Sequence, residues 1–401
     1  MIAATLVISY WVEPERVNRG VWITVFLAII VSMNYIHHGL PSQVEYYVSF
    51  VKLVVMFALM VLSLVIALGG GPDGDLKGFR YWKHPGAFGA RPNTSLMEKL
   101  FRTCGTMSSA TFAYVGSERS GIMAQSPNVR KAISRAIKNT YYRILVFHLI
   151  GVTLLGMIVP YNSAALVFSS PASKEKAASP FVAALYCAGM AVLPDLLNGF
   201  ILLFVLSIAN YDLYLATKAM CDLSLKNRAP AFLSRSNRRG VPIYALGVCS
   251  LLASLSYISL ASNAIQVFGY FVDTVTMLGL LTWISTLITH VSFVRARKAQ
   301  GIPNTALIFR ARFGLTGTWF ALCLCVFIAA TIVFKAFSFK PENPKFDYRT
   351  VVASYFGVPL FIGLFVGHRL VAKSKFVTPQ EVDMWTDKQN LRQREMENTR
   401  G

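Results

Sequence analysis

Glu118 stands in the middle of an apolar run, inside the segment GSERSG from Gly116 to Gly121. Two glycines and four polar side chains at such a place are costly against hydrocarbon. Backbone of this kind survives in a membrane only where it is packed in protein or lines a watery cavity. An interrupted membrane helix aimed at a cavity is how many secondary transporters build a substrate site. Gly116 and Ser117 would let the chain unwind there and come close to a small solute. An acid at membrane depth costs about 2.5–3.5 kcal/mol, which makes Glu118 a candidate for a protonatable group. A structural reading is equally open, in which the carboxylate caps the second half-helix by accepting its freed amide hydrogens. Lys52, in VSFVKLVVMF, is the second candidate, eight residues into an apolar run that continues on both sides of it. Its ordinary alternative is a lysine that snorkels to a helix end. Asp273 and the stretch Asn210 to Asp212 are further polar positions inside apolar runs, and Asp273 would suit either a second proton site or a cationic substrate.

The elements that must position these groups are membrane helices. Of the 401 residues, 54% are hydrophobic and 14% charged, against about 25% charged in an ordinary soluble domain. The mean hydropathy is +0.50, and apolar runs near span length recur along the whole chain. The expected class is an all-α multi-pass membrane protein. Residues 1–11 give a half-helix, since eleven residues rise only about 17 Å. About nine full spans follow, at 21–36, 44–68 (Glu45 at its edge, Lys52 within), the interrupted run from 103, 144–159, 180–223, 241–260, 265–294, 317–337 and 351–370. The LPDLLN segment predicts a short flanking helix ahead of a long span in 180–223, and 261–263 a tight turn. Residues 1–371 thus form the membrane domain and 372–401 a cytoplasmic tail. Basic clusters at 130–143, 226–239 and 295–312 fall on alternate connections, which marks those as cytoplasmic.

The formal net charge of +20 does not indicate nucleic acid, because the basic residues gather in short connections between spans. Six cysteines lie in or beside apolar runs with no C-x-x-C pair, as small hydrophobes in packed helices would. His148 and His290 read as packed or interfacial side chains. No cleavable signal peptide is visible, and no catalytic triad, phosphate loop or metal cluster. The expectation is a non-enzyme without cofactor or metal.

Eleven segments carry a resemblance: AATLVISYW, VEYYVSFVK, GGGPDGD with GFRYW, FAYVGSE, RAIKNTYYRI, GMIVPYN, SPFVAAL, LLFVLSIANYDLY, NRRGVPIYALG, YFVDTVTMLGLLTWIS and RARKAQGIP. In this order, from Ala3 to about Asp387, the chain resembles the fungal amino-acid permeases of the amino acid–polyamine–organocation superfamily. The resemblance implies a LeuT-like fold of two inverted five-helix repeats within twelve spans. The opening half-helix then resembles the end of the third span, so the expected fold is N-terminally truncated, without the family's first, Gly-rich broken helix. By the same resemblance, backbone carbonyls from Phe112 through Ala113 to Val115 receive the substrate ammonium, Phe112 closes over the amino acid, and Glu118 couples protonation to gating. Lys52 resembles the lysine that takes the place of a sodium ion in proton-coupled relatives. The implied activity is proton-coupled symport of an amino acid by alternating access around a midplane site at 103–126, in a plasma membrane. Partners are the amino acid, protons and lipid. Where the family more often has Asn and Ser, this chain has Asp273 and Tyr211, and AQSPNVRK and HHGLPSQ also depart from the family pattern. A second function class stays open: the chain as written is a truncated, non-transporting fragment, because the polar break would then face a gap at a cost of several kcal/mol per unsatisfied group.

Overall fold

The computed structural model describes residues 1–12, 16–36, 39–72, 74–86, 96–118, 129–163, 179–190, 192–260, 264–303, 313–338, 345–346, 348–373 and 377–383. Arg119, Ser120 and Gly121 of the polar break, the expected turn at 261–263 and the tail beyond 383 lie outside the described residues. The described part is helical: α1 (Ile2–Ile8), α2 (Arg19–Ile36), α3 (Leu40–Ala67), α4 (Leu96–Phe112) and α5 (Val129–Ile144). A π-helical segment, Leu145–Ile150, leads from α5 into α6 (Gly151–Ile158). Then come α7 (Pro180–Cys187), α8 (Leu193–Leu225), α9 (Ile243–Ala253), α10 (Ala264–Ala299), α11 (Gly314–Thr331), α12 (Tyr348–Tyr355) and α13 (Gly357–Ala372). Two two-residue strands, Phe337–Ser338 and Lys345–Phe346, pair between α11 and α12.

Among the described residues eight helical runs are long and apolar enough to cross a membrane, from Arg19–Ile36 to Tyr348–Val371. The remaining expected span is the interrupted one, since α4 stops at Phe112. Proline starts three of the helices, at Pro41 of α3, Pro180 of α7 and Pro194 of α8, where its missing N–H would have had no partner anyway. Gly69, at φ +88°, lets the chain turn away after α3. The expected division of 180–223 appears as α7 followed by α8.

The chain forms two compact units, residues 1–92 with 142–269, and residues 93–141 with 270–401. In the first, α8 is the central post, and α1, α2, α3, α7 and α9 all pack on it. Ile66, Ala67, Leu154, Met157, Ile158, Val182, Leu185 and Leu197 form one core cluster, and Ile30, Leu213, Val241, Leu246 and Cys249 another. In the second unit, α4 packs on α11 and on the 3₁₀ turn Ile332–Ala336, while Met277, Leu280 and Ile332 form a core with Trp283, Ile328 and Tyr355 around it. Large apolar side chains such as Phe50, Phe57, Phe320 and Phe365 point outward, whereas Asn34, Ser207, Asn210, Asp273 and Thr276 are buried. That inversion suits a solvent of lipid tails, where polar side chains can only be satisfied by other helices.

Candidate functional site

The interruption, expected at Gly116 to Gly121, begins earlier, one residue beyond Phe112. Up to there α4 is regular; from there the chain tightens. The amides of Ala113, Tyr114 and Val115 donate to the carbonyls of Ala110, Thr111 and Phe112, each three residues back, at 2.9–3.2 Å. Ser117 N–H donates likewise to the Tyr114 carbonyl at 3.4 Å. Gly116 closes the turn at φ +106°, a region closed to residues with a Cβ, which is why glycine stands there. The carbonyls of Phe112 and Tyr114 each accept one turn bond, and a carbonyl oxygen has two lone pairs.

Glu118 folds back over this turn. Its two carboxylate oxygens share the Gly116 N–H, at 3.1 and 3.0 Å, and Oε2 also accepts the indole N–H of Trp283, at 3.0 Å. The acid is half-buried, Val115 and Gly116 are half-buried beside it, and Phe112, Ala113 and Ser117 are exposed within the unit. Val115 is seated against α10 at Gly279, where an added Cβ would lie 3.0 Å from Val115 Cγ2. The site therefore has a floor from α10 as well as the broken end of α4. Trp283 is the residue that reading the sequence missed. An indole N–H on an apolar helix needs an acceptor, and Glu118 was an acceptor still lacking a donor.

Lys52 belongs to the first unit and has its own setting there. Its Nζ lies 2.8 Å from Glu45 Oε1, a pair seven residues apart on one face of α3. Side chains of a helix lean toward its N-terminus, so the long lysine stem runs back along the two turns that separate them. Ser49 Oγ donates to the same Oε1 at 2.9 Å, and Ser207 Oγ, from α8, donates to Oε2 at 2.5 Å. The sequence reading left Glu45 at the edge of the span. With α3 starting at Leu40, it lies inside the helix and is the counter-ion of Lys52.

The remaining polar positions are packed. Asn34 Nδ2 on α2 donates to Asn210 Oδ1 on α8 at 2.9 Å, joining two buried amides. Tyr211 stacks on Tyr214, with centroids 5.9 Å apart. Asp273 is buried on α10, and Ser354 Oγ of α12 lies 3.5 Å from its Oδ2. His290 shares a hydrogen bond with Thr318 at 2.9 Å and stacks on Phe293.

Against known families, the amino acid permease profile matches residues 1–380. The chain is 39% identical to the dicarboxylic amino acid permease of Saccharomyces cerevisiae, over 97% of this chain and 64% of that protein. It is 34% identical to an uncharacterized amino-acid permease of Schizosaccharomyces pombe, over 96% of this chain and 72% of that one. To the lysine-specific permease of Saccharomyces cerevisiae it is 31% identical, over 96% of this chain and 62% of that protein. The chain thus spans about two thirds of the length of these relatives.

Proposed function

The chain belongs to the amino acid permease family, whose members are transporters rather than enzymes, and from that premise we propose that it moves an amino acid across the plasma membrane by proton-coupled symport. The observation that carries the reading is the end of α4. A membrane helix stops at Phe112, turns at Gly116 and ties the turn to an acid, Glu118. Backbone freed from the helix ladder is available to a charged solute, and Phe112, Ala113, Val115, Gly116 and Ser117 are the residues that would touch it. A second lone pair on the carbonyls around Phe112 suits a substrate ammonium. Phe112, exposed within the unit, would cover the bound amino acid.

Proton coupling is assigned to Glu118 in this unit and to the Lys52 position in the other. A bare carboxylate is expensive at membrane depth, so a proton that neutralises it changes the energy of the conformation that holds it. For the substrate class, acidic amino acids are the first to test, because the relative at 39% identity is a dicarboxylic amino acid permease.

The test is uptake of radiolabelled L-glutamate, L-lysine and L-proline by cells lacking their own permeases, at two external pH values, with and without a protonophore. The expected result is uptake of glutamate that rises at acid pH and collapses with the protonophore. Uptake indifferent to both removes the coupling, and uptake of none of the three above the empty-vector level removes the permease reading for this chain.

A further inference from the structure

We infer that the proton-accepting group of the first unit is Glu45, with Lys52 as its fixed counter-ion and Ser207 as the partner that reverses its hydrogen bond when the proton arrives. This rests on the proton-symport reading above and moves the proton from the lysine to its neighbour.

Lys52 as an ammonium has three donors and no acceptor, so it needs a lone pair from Glu45 whichever form the acid is in. It finds one on Oε1, which also takes the Ser49 hydroxyl. Oε2 is held differently, by the hydroxyl of Ser207 on α8. A hydroxyl can donate or accept. When a proton from bulk water binds Oε2, forming the O–H bond of the neutral acid, Ser207 turns its own hydrogen away and accepts the new one. No heavy atom has to move, and Oε1 keeps both its donors. Neutralising either member of the pair leaves the other as an unpaired charge; what favours the acid is Ser207, whose hydroxyl can turn to accept the new proton while Oε1 keeps both its donors. The pair is therefore built to gain a proton at the acid. Proton uptake turns a neutral pair into a site of charge +1, carried by Lys52.

Nothing else on the packed elements competes for this role. α2, α6, the π segment and α8 pack on α3. α2 brings Arg19 at its first residue and Tyr35 near its last, α6 no titratable group, and the π segment His148. α8 brings Asp195, Tyr211, Asp212, Tyr214, Lys218, Cys221 and Asp222. Among the described residues, Lys52, Ser49 and Ser207 are the groups that act on the Glu45 carboxylate.

The experiment uses the full chain in proteoliposomes with the membrane potential clamped at zero. It compares wild type with Glu45→Gln and Glu45→Asp. Glutamine keeps an acceptor for Lys52 and a donor for Ser207, so it imitates the protonated acid but takes no proton. Two rates are read with L-glutamate: exchange of labelled for unlabelled solute, which needs no net proton flow, and accumulation against a pH gradient of one unit. One proton per solute gives about tenfold accumulation under that gradient. The expected result is exchange in all three, accumulation of about tenfold in wild type and no concentration in Glu45→Gln. Glu45→Asp should regain accumulation with a displaced pH profile. Unchanged accumulation in Glu45→Gln overturns the inference. So does loss of both exchange and accumulation in well-reconstituted Glu45→Gln protein, since Glu45 would then merely hold α3 to α8. If wild type exchanges nothing, the permease reading fails, and infrared difference spectra on acidification decide Glu45 separately. A carboxylic C=O band present in wild type and missing in Glu45→Gln supports it; the same band in both overturns it.

Discussion

Replacing Glu118 measures how much of the broken end of α4 is held by one side chain. Two donors point at the carboxylate, the Gly116 N–H shared by both oxygens and the Trp283 indole N–H. A hydrogen bond to a charged acceptor contributes about 1.5–3 kcal/mol net. The acid is half-buried and water can replace part of each bond, so the lower figure applies. Glu118→Ala, which strands both donors, should cost about 3 kcal/mol. Glu118→Gln keeps one acceptor oxygen and should cost about half of that, as should Trp283→Phe, which removes one donor and leaves the acid charged. The double variant Glu118→Gln with Trp283→Phe should then be less destabilised than the sum by about 1 kcal/mol, because the same bond is removed twice. Unfolding in mixed micelles can be followed through the thiol of Cys104, which is buried on α4 itself and reacts with a dye only when that helix loosens. If the two single changes add to within about 0.3 kcal/mol, the indole does not hold the acid and the site as described has no floor.

Three further outcomes are expected. Asn34→Ala leaves the buried Asn210 Oδ1 without its donor and should cost about 1–3 kcal/mol, whereas Asn34→Leu with Asn210→Leu, removing both partners, should come out close to neutral in the same unfolding assay. Gly156→Ala places a Cβ 2.9 Å from the rigid ring of Trp82; overpacking of about 1–3 kcal/mol should exceed the gain in helix propensity of about 1 kcal/mol. Gly247→Ala, with nothing within 4 Å of its Cβ, should show that gain alone, so equal effects at the two glycines would refute the packing argument. In the loop after α3, the Arg80 guanidinium, 2.6 Å away, holds the exposed Asp75 carboxyl below its ordinary value. Its small contribution is present at neutral pH and is lost as the pH falls through the lowered value. The fluorescence of Trp82 should follow that loss in wild type and stay flat in Asp75→Asn.

The spans could be read because their signal is length and apolarity, which the sequence states directly. α7 and α8 were separable for a similar reason, since proline opens both helices and the LPDLLN segment holds Pro194 and Asp195 in the first turn of α8. The interruption near Gly116 was legible because glycines and charge have no business in an unbroken lipid-facing helix. Partners across helices were not. Glu45 and Lys52 sit seven residues apart, a spacing that suggests a shared face, but only the backward lean of the lysine stem makes them touch. Ser207 on α8 is 162 positions from Glu45, and Trp283 is 165 positions from Glu118; nothing local marks either pairing. Asn34 and Asn210 were equally hidden. Buried donors had to find acceptors, yet the sequence does not say which helix supplies them.

The two acids differ in one property that orders their roles. Among the described residues Glu118 is held by a backbone N–H and an indole N–H, and neither can accept a hydrogen. A proton bound to either oxygen removes the charge that both donors answer, so the bonds that pin the turn at Gly116 weaken. Glu45 has Ser207, which can reverse, and its protonation leaves every heavy atom where it was. On the permease reading, a proton at Glu45 changes charge without changing shape, and a proton at Glu118 loosens the bonds that hold the shape of the turn. Storage therefore falls to the first unit and gating to the broken end of α4. A Glu118→Gln protein should accordingly lose exchange as well as accumulation, because its neutral amide holds the Gly116 N–H and the indole more weakly than the carboxylate does. Glu45→Gln should lose accumulation alone. If the two variants fail in the same way, the distinction between reversible and irreversible partners does not govern the cycle.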